Sequence, residues 1–171
     1  MIHNVFLQNL SLADIKDFCI LKEQYWKYGI KKQIGWWFVI SAPNDRVIYL
    51  DINGKKISFC RLKKRKIIVD NVLKDSYYLT ELCVHNDFKN SGFASLIIKE
   101  VNNFIITERI YGHLLCPSEL DKFYSNLEWK KSKKFFSRKK KEYKNQPILK
   151  NLCFTYNQSN FEEIILIGNI I

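Results

Sequence analysis

Few residues in this sequence interrupt regular structure: 3 of its 171 residues are proline and 6 are glycine. Such scarcity excludes the proline- and glycine-rich compositions that are typical of linkers and disordered segments. No internal repeat or linker is recognisable, so the length predicts one domain over residues 1–171. Hydrophobic residues make up 47% of the chain, which is enough to build a substantial core.

Long apolar runs are also absent, and a helix that crosses a bilayer needs about 20 such residues. The N-terminal segment lacks a basic stretch followed by a long apolar block, so no signal peptide is expected. These absences predict a cytoplasmic protein without a membrane span.

The sequence has five cysteines but no C-x-x-C pair, which excludes zinc-ribbon and thioredoxin-like sites. The cysteines lie far apart, mostly inside apolar runs, at Cys19, Cys60, Cys83, Cys116 and Cys153. Buried free thiols in a reducing compartment are therefore predicted, and no metal site is expected.

Acidic residues are scarce relative to basic ones: 17 Asp and Glu accompany 28 Lys and Arg, which gives a net charge of +11. Two segments hold much of the excess, with seven basic residues of twelve in Lys55–Lys66 and nine of fifteen in Lys130–Lys144. Such segments attract anions, including nucleic acids, phosphorylated substrates, acidic proteins and membrane surfaces. A solvated basic face without a specific partner is the plainer alternative.

The N-terminal hydrophobic pattern predicts a strand followed by helices. NVFLQNL has the composition of a short strand, and LADIKDFCILKEQYWKY follows with apolar residues at helical spacing. Ser11 is placed to cap that helix, with Asp14 three residues on, and Gly29 is placed to end it. The next segment, IKKQIGWWFVIS, fits a helix by its spacing and a strand by its β-branched and aromatic residues.

Turn residues and alternation predict most of the remaining elements. Two alternating runs flank Asn53-Gly54, a pair that suits a tight β-hairpin. SYYLTELCV is apolar on both faces, so it is predicted to be a central strand. The later pattern predicts a helix in GFASLIIKEVNNFII, a strand in YGHLLC, a helix in PSELDKFYSNL, and a hairpin-like strand pair in ILKNLCFTYN and FEEIILIGNII.

A polar, glycine-containing loop lies between the central strand and the helix after it. Its sequence, HNDFKNSGFA, brings backbone N–H groups together at the positive end of a helix dipole. Gly92 allows an anion to approach where a Cβ atom would obstruct it, and Lys89 adds positive charge. The loop is therefore predicted to bind phosphate.

The segment LCVHNDFKNSGFASLII resembles the pyrophosphate loop of the GNAT superfamily of N-acetyltransferases, in which Gln/Arg-x-x-Gly-x-Gly/Ala follows a strand ending in valine. Lys89, Gly92 and Ala94 take the first, fourth and sixth positions of that motif. A second segment, LLCPSELDKFYSNLEWKK, resembles the later strand–helix motif of the family, about 30 residues further on. Together the two motifs favour membership of this superfamily.

The resemblance implies an α/β (α+β) GNAT fold, with a mixed, mostly antiparallel, twisted sheet of about six to seven strands flanked by helices. The implied order is strand, two helices, three strands, helix, strand, helix and two strands. Acetyl-CoA would be the cosubstrate, held by backbone groups of the strand end and the loop. The implied cofactor-binding residues are Leu82, Cys83, Val84, Lys89, Asn90, Ser91, Gly92, Phe93, Ala94 and Ser95.

Two side chains are implied to be catalytic. Tyr124, in the Phe-Tyr pair of the second motif, would donate a proton to the departing CoA thiolate, although a core aromatic residue is the alternative. Glu81, in the central strand, would be the general base, because burial would raise its pKa toward a useful range. The alternative for Glu81 is a carboxylate at the solvated face of the sheet or one paired with a lysine, and His113 or water are the other candidates for the base.

Two positions depart from the family pattern. Lys89 replaces Gln or Arg, which keeps or adds charge but loses a planar hydrogen-bonding group. Glu128 stands where the family has glycine, and a left-handed helix cap there would cost a non-glycine residue about 1 kcal/mol. The helix end is therefore expected to differ from the family pattern.

The resemblance implies transfer of an acetyl group to a primary amine of a small molecule. The positive charge of the chain opposes a polycationic acceptor, so an anionic or neutral amine, such as an amino sugar on a nucleotide or glycan, is favoured. One alternative is acetylation of nucleic-acid-linked amines such as charged tRNA through the basic segments. A CoA-binding module without catalysis is another, and either a monomer or a homodimer is compatible with the sequence.

Overall fold

The computed structural model describes residues 1–138, 146–147, 152–157 and 163–167. Its residues group into two compact units by their contacts. The first unit comprises Met1–Lys63 and Leu79–Val101, and the second comprises Lys64–Tyr78 and Asn102–Ile171. The expectation of one domain stays a prediction.

The first unit is built on a β-hairpin. Strand β1 (Ile2–Phe6) pairs antiparallel with β2 (Arg46–Ile52), and β2 pairs antiparallel with the first half of β3 (Lys55–Val69). Asn53 and Gly54 connect β2 to β3 with φ angles of 51° and 78°. These are the positive φ angles that a two-residue hairpin loop needs, so the predicted hairpin is confirmed.

Two helices belong to the first unit, α1 (Leu12–Glu23) and α2 (Ile30–Ile40). The predicted cap of α1 is present, because Asp14 N donates to Ser11 Oγ at 3.1 Å and Ser11 N donates to Asp14 Oδ2 at 2.9 Å. The segment with ambiguous periodicity is the helix α2. Its buried side chains, Gln33 and Trp37, lie one helical turn apart, as helical spacing requires.

The end of the first helix was predicted wrongly. α1 stops at Glu23, so Tyr25 and Trp26 lie in the turn that follows it. Gly29 has a φ of 86° and stands at the N-terminal cap of α2 rather than at the end of α1. A glycine with positive φ can serve either position, and only the packing of the chain decides between them.

Strands β3 and β4 (Val72–Val84) and helix α3 (Phe93–Thr107) each contribute residues to both units. The remaining elements belong to the second unit. They are strand β5 (Tyr111–Cys116), helix α4 (Asp121–Ser125), and strands β6 (Lys130–Lys131), β7 (Lys134–Arg138), β8 (Gln146–Pro147), β9 (Leu152–Tyr156) and β10 (Glu163–Ile167).

The two C-terminal strands, predicted to form a hairpin-like pair, lie between other strands instead. β9 pairs antiparallel with β5 and with β6. β10 pairs antiparallel with β3 and parallel with β7, and β7 also pairs antiparallel with β8. The centres of β9 and β10 are buried, and buried strands need hydrogen-bonding partners on both edges, which one isolated hairpin cannot supply.

The expected fold class is confirmed: the strands pair mostly antiparallel, and four α-helices accompany them in the described residues. The strands number ten in that part of the chain, more than the six to seven expected, because the chain between α4 and β9 adds the short strands β6, β7 and β8. All five cysteines are buried free thiols, as predicted. Within the same residues, no helix has the length and apolar character needed to cross a membrane.

Candidate functional site

Strand β4 contains an irregularity at Glu81. Glu81 has a φ of 58°, in the left-handed region that regular strands do not use. Leu79 and Cys83 are buried on either side, but Glu81 between them is only partly buried, so the alternation of the strand fails there. A residue in this conformation within a strand is typical of a β-bulge, which redirects nearby side chains and backbone groups.

The carboxylate of Glu81 lies between two cations. Lys22, from α1, donates to Glu81 Oε1 at 2.9 Å, and Arg61, from β3, lies 3.5 Å from Glu81 Oε2. Burial by itself would raise the pKa of Glu81, but the charges of Arg61 and Lys22 outweigh it and hold the pKa below its usual value. The expectation of a raised pKa was therefore wrong, and the pairing of Glu81 with a lysine is present.

Arg61 is fully buried and holds several polar groups together. Its Nη2 atom donates to Ser41 Oγ at 2.7 Å and lies 3.8 Å from Asp45 Oδ2, while its guanidinium lies 4.4 Å from the ring centroid of Trp37. In the sequence, Arg61 is recognisable only as one member of a basic segment. The alternation through Ile57 and Phe59, both buried, is the signal that could have placed Arg61 on an inward face.

The basic segment Lys55–Lys66 does not form one surface for a partner, nor one solvated face. Lys56 pairs with Asp14 at 2.7 Å and with Asp17 at 3.3 Å, and Arg61 and Lys63 are buried. The alternation of β3 separates these side chains onto opposite faces. The first part of the second basic segment, Lys130–Lys144, forms strands β6 and β7. Residues 139–144 lie outside the described residues.

A negatively charged Glu81 has a measurable consequence for stability. Because the folded pKa is depressed, the carboxylate stabilises the fold above its ordinary value of 4.5, and this contribution is lost as the pH falls through the folded pKa. We expect Glu81→Gln to lower the free energy of unfolding at pH 7 by about 3 kcal/mol, since the buried Lys22 loses its carboxylate partner and the buried Arg61 keeps only Asp45. Urea unfolding from pH 7 to pH 3 measures the difference, which should shrink below pH 4.5.

The matched control for this prediction is Glu108→Gln, because Glu108 is exposed in the turn after α3. That variant should differ little from the wild type at any pH. A Glu81→Gln difference that stays constant from pH 7 to pH 3 would assign the effect to packing and not to charge.

The loop after β4 has the geometry of an anion site. Asn90 and Gly92 have φ angles of 64° and 79°, and α3 begins at the next residue. The helix starts with a hydrogen bond from Leu96 N to Gly92 O at 3.0 Å. Such alternation of backbone conformations turns successive N–H groups toward one point, which forms a concave anion-binding nest.

Several backbone N–H groups of this loop lack a protein acceptor within the described ranges. Among the residues that the structure describes, no protein acceptor is found for the backbone N–H groups of Asn90, Gly92, Phe93, Ala94 and Ser95. Ser91 N donates to Phe88 O at 3.4 Å, a long contact, and Lys89 N donates to Asn86 O at 3.3 Å. Of the six loop residues from Lys89 to Ala94, four therefore present unpaired N–H groups at the start of α3, with Ser95 as a fifth.

The end of β4 is contacted by the turn that follows α1. Tyr25 donates its hydroxyl hydrogen to Val84 O at 2.6 Å, and Val84 N lies 3.4 Å from the same hydroxyl oxygen. Burial raises the pKa of Tyr25, so the hydroxyl keeps its proton. Cys83 O accepts from Ser58 Oγ at 2.8 Å, and Lys89 Nζ lies 5.0 Å from the Tyr25 ring centroid. No pattern in the sequence indicates this role for Tyr25.

Tyr124 lies in the second unit, on the short helix α4. Its side chain is buried, and its ring lies 4.9 Å from that of Phe123, 6.2 Å from Trp129 and 5.9 Å from Phe154. Glu128 follows with a φ of 68°, so the left-handed position of the family is kept without glycine. The expected change of the helix end was wrong, and Tyr156 donates to Glu128 Oε2 at 3.4 Å.

His113 is a buried residue of β5. Its Nδ1 atom lies 2.6 Å from Ser76 Oγ, and its ring stacks on Tyr78 with centroids 5.0 Å apart. Burial, with a contribution from Arg65, lowers the pKa of His113 to about 3. The imidazole is therefore neutral and too weak a base to take a proton from an amine, which favours a structural role.

The first unit thus brings together Glu81, the end of β4 and the loop before α3, whereas Tyr124 and His113 belong to the second unit. In the parts of the chain that are described, no group of three or more His, Cys, Asp or Glu side chains is placed to hold a metal ion.

Comparison with solved structures identifies the fold. The ElaA protein of Escherichia coli superposes with a TM-score of 0.64 and 10% identity, over 92% of this chain and 99% of that one. An aminoglycoside 6′-N-acetyltransferase in complex with coenzyme A gives 0.64 and 8%, over 90% and 95%. The ribosomal-protein-S18-alanine N-acetyltransferase of E. coli gives 0.59 and 11%, over 99% and 96%.

At these identities the likeness concerns the fold, which is the fold of the GCN5-related N-acetyltransferases. The resemblance inferred from the two sequence motifs is confirmed at this level. No family model matches the sequence, and no curated protein matches it.

Proposed function

We propose that this protein is an N-acetyltransferase that moves the acetyl group of acetyl-CoA to a primary amine of a small molecule. The observation that carries the proposal is the loop from Lys89 to Ala94, with free N–H groups at the start of α3 after a bulged strand. A diphosphate needs several donors that converge on one point, and this loop supplies them in a fold that N-acetyltransferases share.

The residues of the loop fit the pyrophosphate of acetyl-CoA. Gly92 has no neighbouring atom within 4 Å of the place where a Cβ would stand, so an anion can approach the backbone closely. Lys89 adds a positive charge beside the loop. Acetyl-CoA would supply an activated acetyl thioester. The residues of this chain would bind and orient it, and would protonate the thiolate of the departing CoA.

We propose different catalytic roles for the two side chains singled out in the sequence. Tyr124 would give its hydroxyl proton to the thiolate when the C–S bond breaks and the new C–N bond forms. Glu81, whose pKa is lowered, would remain ionised and accept a hydrogen bond from the acceptor amine or from a water molecule. The proton that the amine loses would then pass to solvent, because an ion-paired carboxylate is a weak base.

The acceptor is proposed to be a neutral or anionic amine. A net charge of +11 repels a polycation and attracts an amine that carries phosphate or carboxylate groups. An amino sugar on a nucleotide or glycan satisfies this condition. In this respect the proposed acceptor differs from the aminoglycoside that one structural neighbour is named for.

A survey of primary amines with acetyl-CoA tests the proposal, with release of the CoA thiol as the signal. Amino sugar phosphates and neutral amino sugars should be acetylated faster than aminoglycosides, which are the polycationic comparison. Faster reaction of aminoglycosides would overturn the acceptor class but not the acetyl transfer. Failure of acetyl-CoA to bind at all would overturn the function itself.

The resemblance assigns the backbone groups of Leu82, Cys83 and Val84 to the pantetheine arm of CoA. In the structure, the Tyr25 hydroxyl already donates a hydrogen bond to Val84 O. If both claims hold, the ligand must displace this hydroxyl, and removing it should strengthen binding. We expect Tyr25→Phe to lower the Kd for CoA by about 2- to 10-fold, because one hydrogen bond contributes a net of about 0.5–1.5 kcal/mol. Isothermal titration calorimetry measures the change.

Tyr28→Phe is the control for this prediction, since Tyr28 is an exposed tyrosine three residues further along the same turn. Its affinity should equal that of the wild type. Weaker binding by Tyr25→Phe would show that the hydroxyl contributes to the bound state, and would remove the proposed displacement.

A further inference from the structure

The first unit exposes an unusual concentration of apolar side chains along α2. Phe38 is 60% exposed and Val39 is 80% exposed, although both lie on a helix. We define the α2 patch as these residues with their exposed apolar and basic neighbours. Its members are Lys27, Tyr28, Lys31, Lys32, Trp36, Phe38, Val39 and Ile40.

The α2 patch is not the core-facing side of the helix. Gln33 and Trp37 are nearly fully buried and face inward, so the helix is already anchored by its other side. Phe38, Val39 and Ile40 lie at its last turn, beyond the residues that packing requires. Large apolar side chains gathered on a surface mark a site of interaction.

The charge of the α2 patch is positive. Lys27, Lys31 and Lys32 are exposed there. Glu23 is the carboxylate at the end of α1, and its oxygens accept from Gly29 N at 3.0 Å and from Gln33 Nε2 at 2.7 Å. Glu23 is therefore turned toward the backbone of the turn. The partner of this patch must offer both an apolar surface and negative charge.

A second copy of this chain does not meet that requirement. A symmetric interface places the same patch on both subunits, so the three lysines of one copy would approach those of the other. Like charges brought close together repel, and the net charge of +11 on each copy adds to the repulsion.

A nucleic acid fits less well than a lipid surface. Stacking of successive bases needs several free aromatic faces, but the ring of Trp36 lies 5.1 Å from that of Tyr28 and 5.3 Å from Lys32 Nζ. Phe38 is the remaining aromatic member of the patch, and a single ring offers no platform for successive bases. The most exposed apolar member, Val39, is aliphatic and has no π face. Aliphatic side chains beside Trp and Lys are instead typical of helices that lie in the interface of a bilayer.

We propose that the α2 patch docks this protein on an anionic phospholipid surface. The last turn of α2, with Phe38 and Val39, enters the boundary between headgroups and acyl chains. Lys31 and Lys32 contact the anionic headgroups, and Trp36 lies at headgroup level, where its amphipathic ring is favoured. The inference does not depend on acetyl transfer, since it rests on side chains outside the proposed catalytic and CoA-binding residues.

Sedimentation with vesicles tests the proposal on the full chain. Vesicles of phosphatidylglycerol and phosphatidylcholine should carry the protein down, with a blue shift of tryptophan emission, whereas pure phosphatidylcholine vesicles should bind at least about 10-fold less. Raising the salt concentration should weaken the binding, because exposed charges are screened over about 8–10 Å at physiological ionic strength.

Two double variants separate the apolar from the charged contribution. Phe38→Ser with Val39→Ser should lower the partition coefficient at least about 10-fold. The matched control is Val72→Ser with Leu73→Ser, which removes apolar side chains that are 50% and 52% exposed outside the patch.

The charged contribution is tested by Lys31→Gln with Lys32→Gln, which should lower both the binding and its salt dependence. The control, Lys16→Gln with Lys99→Gln at exposed positions outside the patch, should have a smaller effect.

Circular dichroism establishes whether each variant is folded. If the serine variants do not fold, the lysine variants still test the proposal. Equal binding to neutral and anionic vesicles, or equal losses in patch and control variants, would overturn the proposal. So would a dimer of the wild-type chain that the Phe38→Ser, Val39→Ser variant dissociates. Retention of each variant on immobilised RNA is measured in parallel. If the α2-patch variants lost retention on RNA but kept vesicle binding, the patch would be assigned to nucleic acid and the proposed docking on lipid would be overturned.

Discussion

Gly92→Val is expected to weaken the binding of CoA by at least about 100-fold. At a φ of 79°, a β-branched residue is strained, and the loop will relax away from the conformation that turns its N–H groups to one point. A hydrogen bond to a charged group contributes about 1.5–3 kcal/mol, so the loss of two such bonds to the pyrophosphate gives this magnitude. Calorimetric titration with CoA measures it.

Gly54→Val is the matched control, because the hairpin glycine has a φ of 78° and equally open surroundings. Both variants should lose similar stability from backbone strain, by about 1–2 kcal/mol. Only Gly92→Val should lose affinity. Wild-type affinity in Gly92→Val would remove the proposed CoA site, and an equal loss in both variants would assign the effect to general destabilisation.

Tyr124→Phe is expected to lower kcat by about 10²–10⁴-fold, the range that general acid catalysis supplies. The affinity for CoA should change little, because a proton given to the departing thiolate acts only in the transition state. The rate of thiol release with the best acceptor of the amine survey measures kcat, and calorimetry measures the affinity. The pH dependence of kcat should lose its alkaline limb in the variant, since no tyrosine proton is then required.

Tyr156→Phe serves as the control for the loss of a buried hydroxyl in the second unit. Its hydroxyl donates to Glu128 at 3.4 Å, so the substitution costs some stability without touching the proposed acid. An unchanged kcat in Tyr124→Phe would return Tyr124 to its contacts with Phe123, Trp129 and Phe154 as a core residue. A similar loss of kcat in Tyr156→Phe would indicate a change of packing.

Features that depend on neighbouring residues in the chain were predictable. The hairpin at Asn53-Gly54, the Ser11 cap of α1 and the glycine loop before α3 each arise from backbone conformations within a few positions. The interactions that produce them are local hydrogen bonds and steric limits on φ. Both are expressed in the order of residue types along the chain, so these elements and the fold class were recognisable from that order.

Features that depend on distant residues were not predictable in the same way. β9 and β10 have the alternation and apolar content of strands, but nothing in their sequences states which strands border them. Glu128 adopts a φ of 68° without being a glycine, and its carboxylate accepts a hydrogen bond from Tyr156, which lies 28 positions further along the chain. In both cases the partners come from segments that only folding brings together.

The sequence by itself determined most of the elements, the positive-φ glycine loop before α3 and the resemblance to the GNAT superfamily. The tertiary structure alone decided the electrostatic state of the candidate site. Glu81 and Lys22 are 59 positions apart, as are Tyr25 and Val84, and each pair is joined by a hydrogen bond. A pKa depends on charge and solvent within a few ångströms, and those distances exist only after α1 has packed beside β4 and Arg61 has been buried.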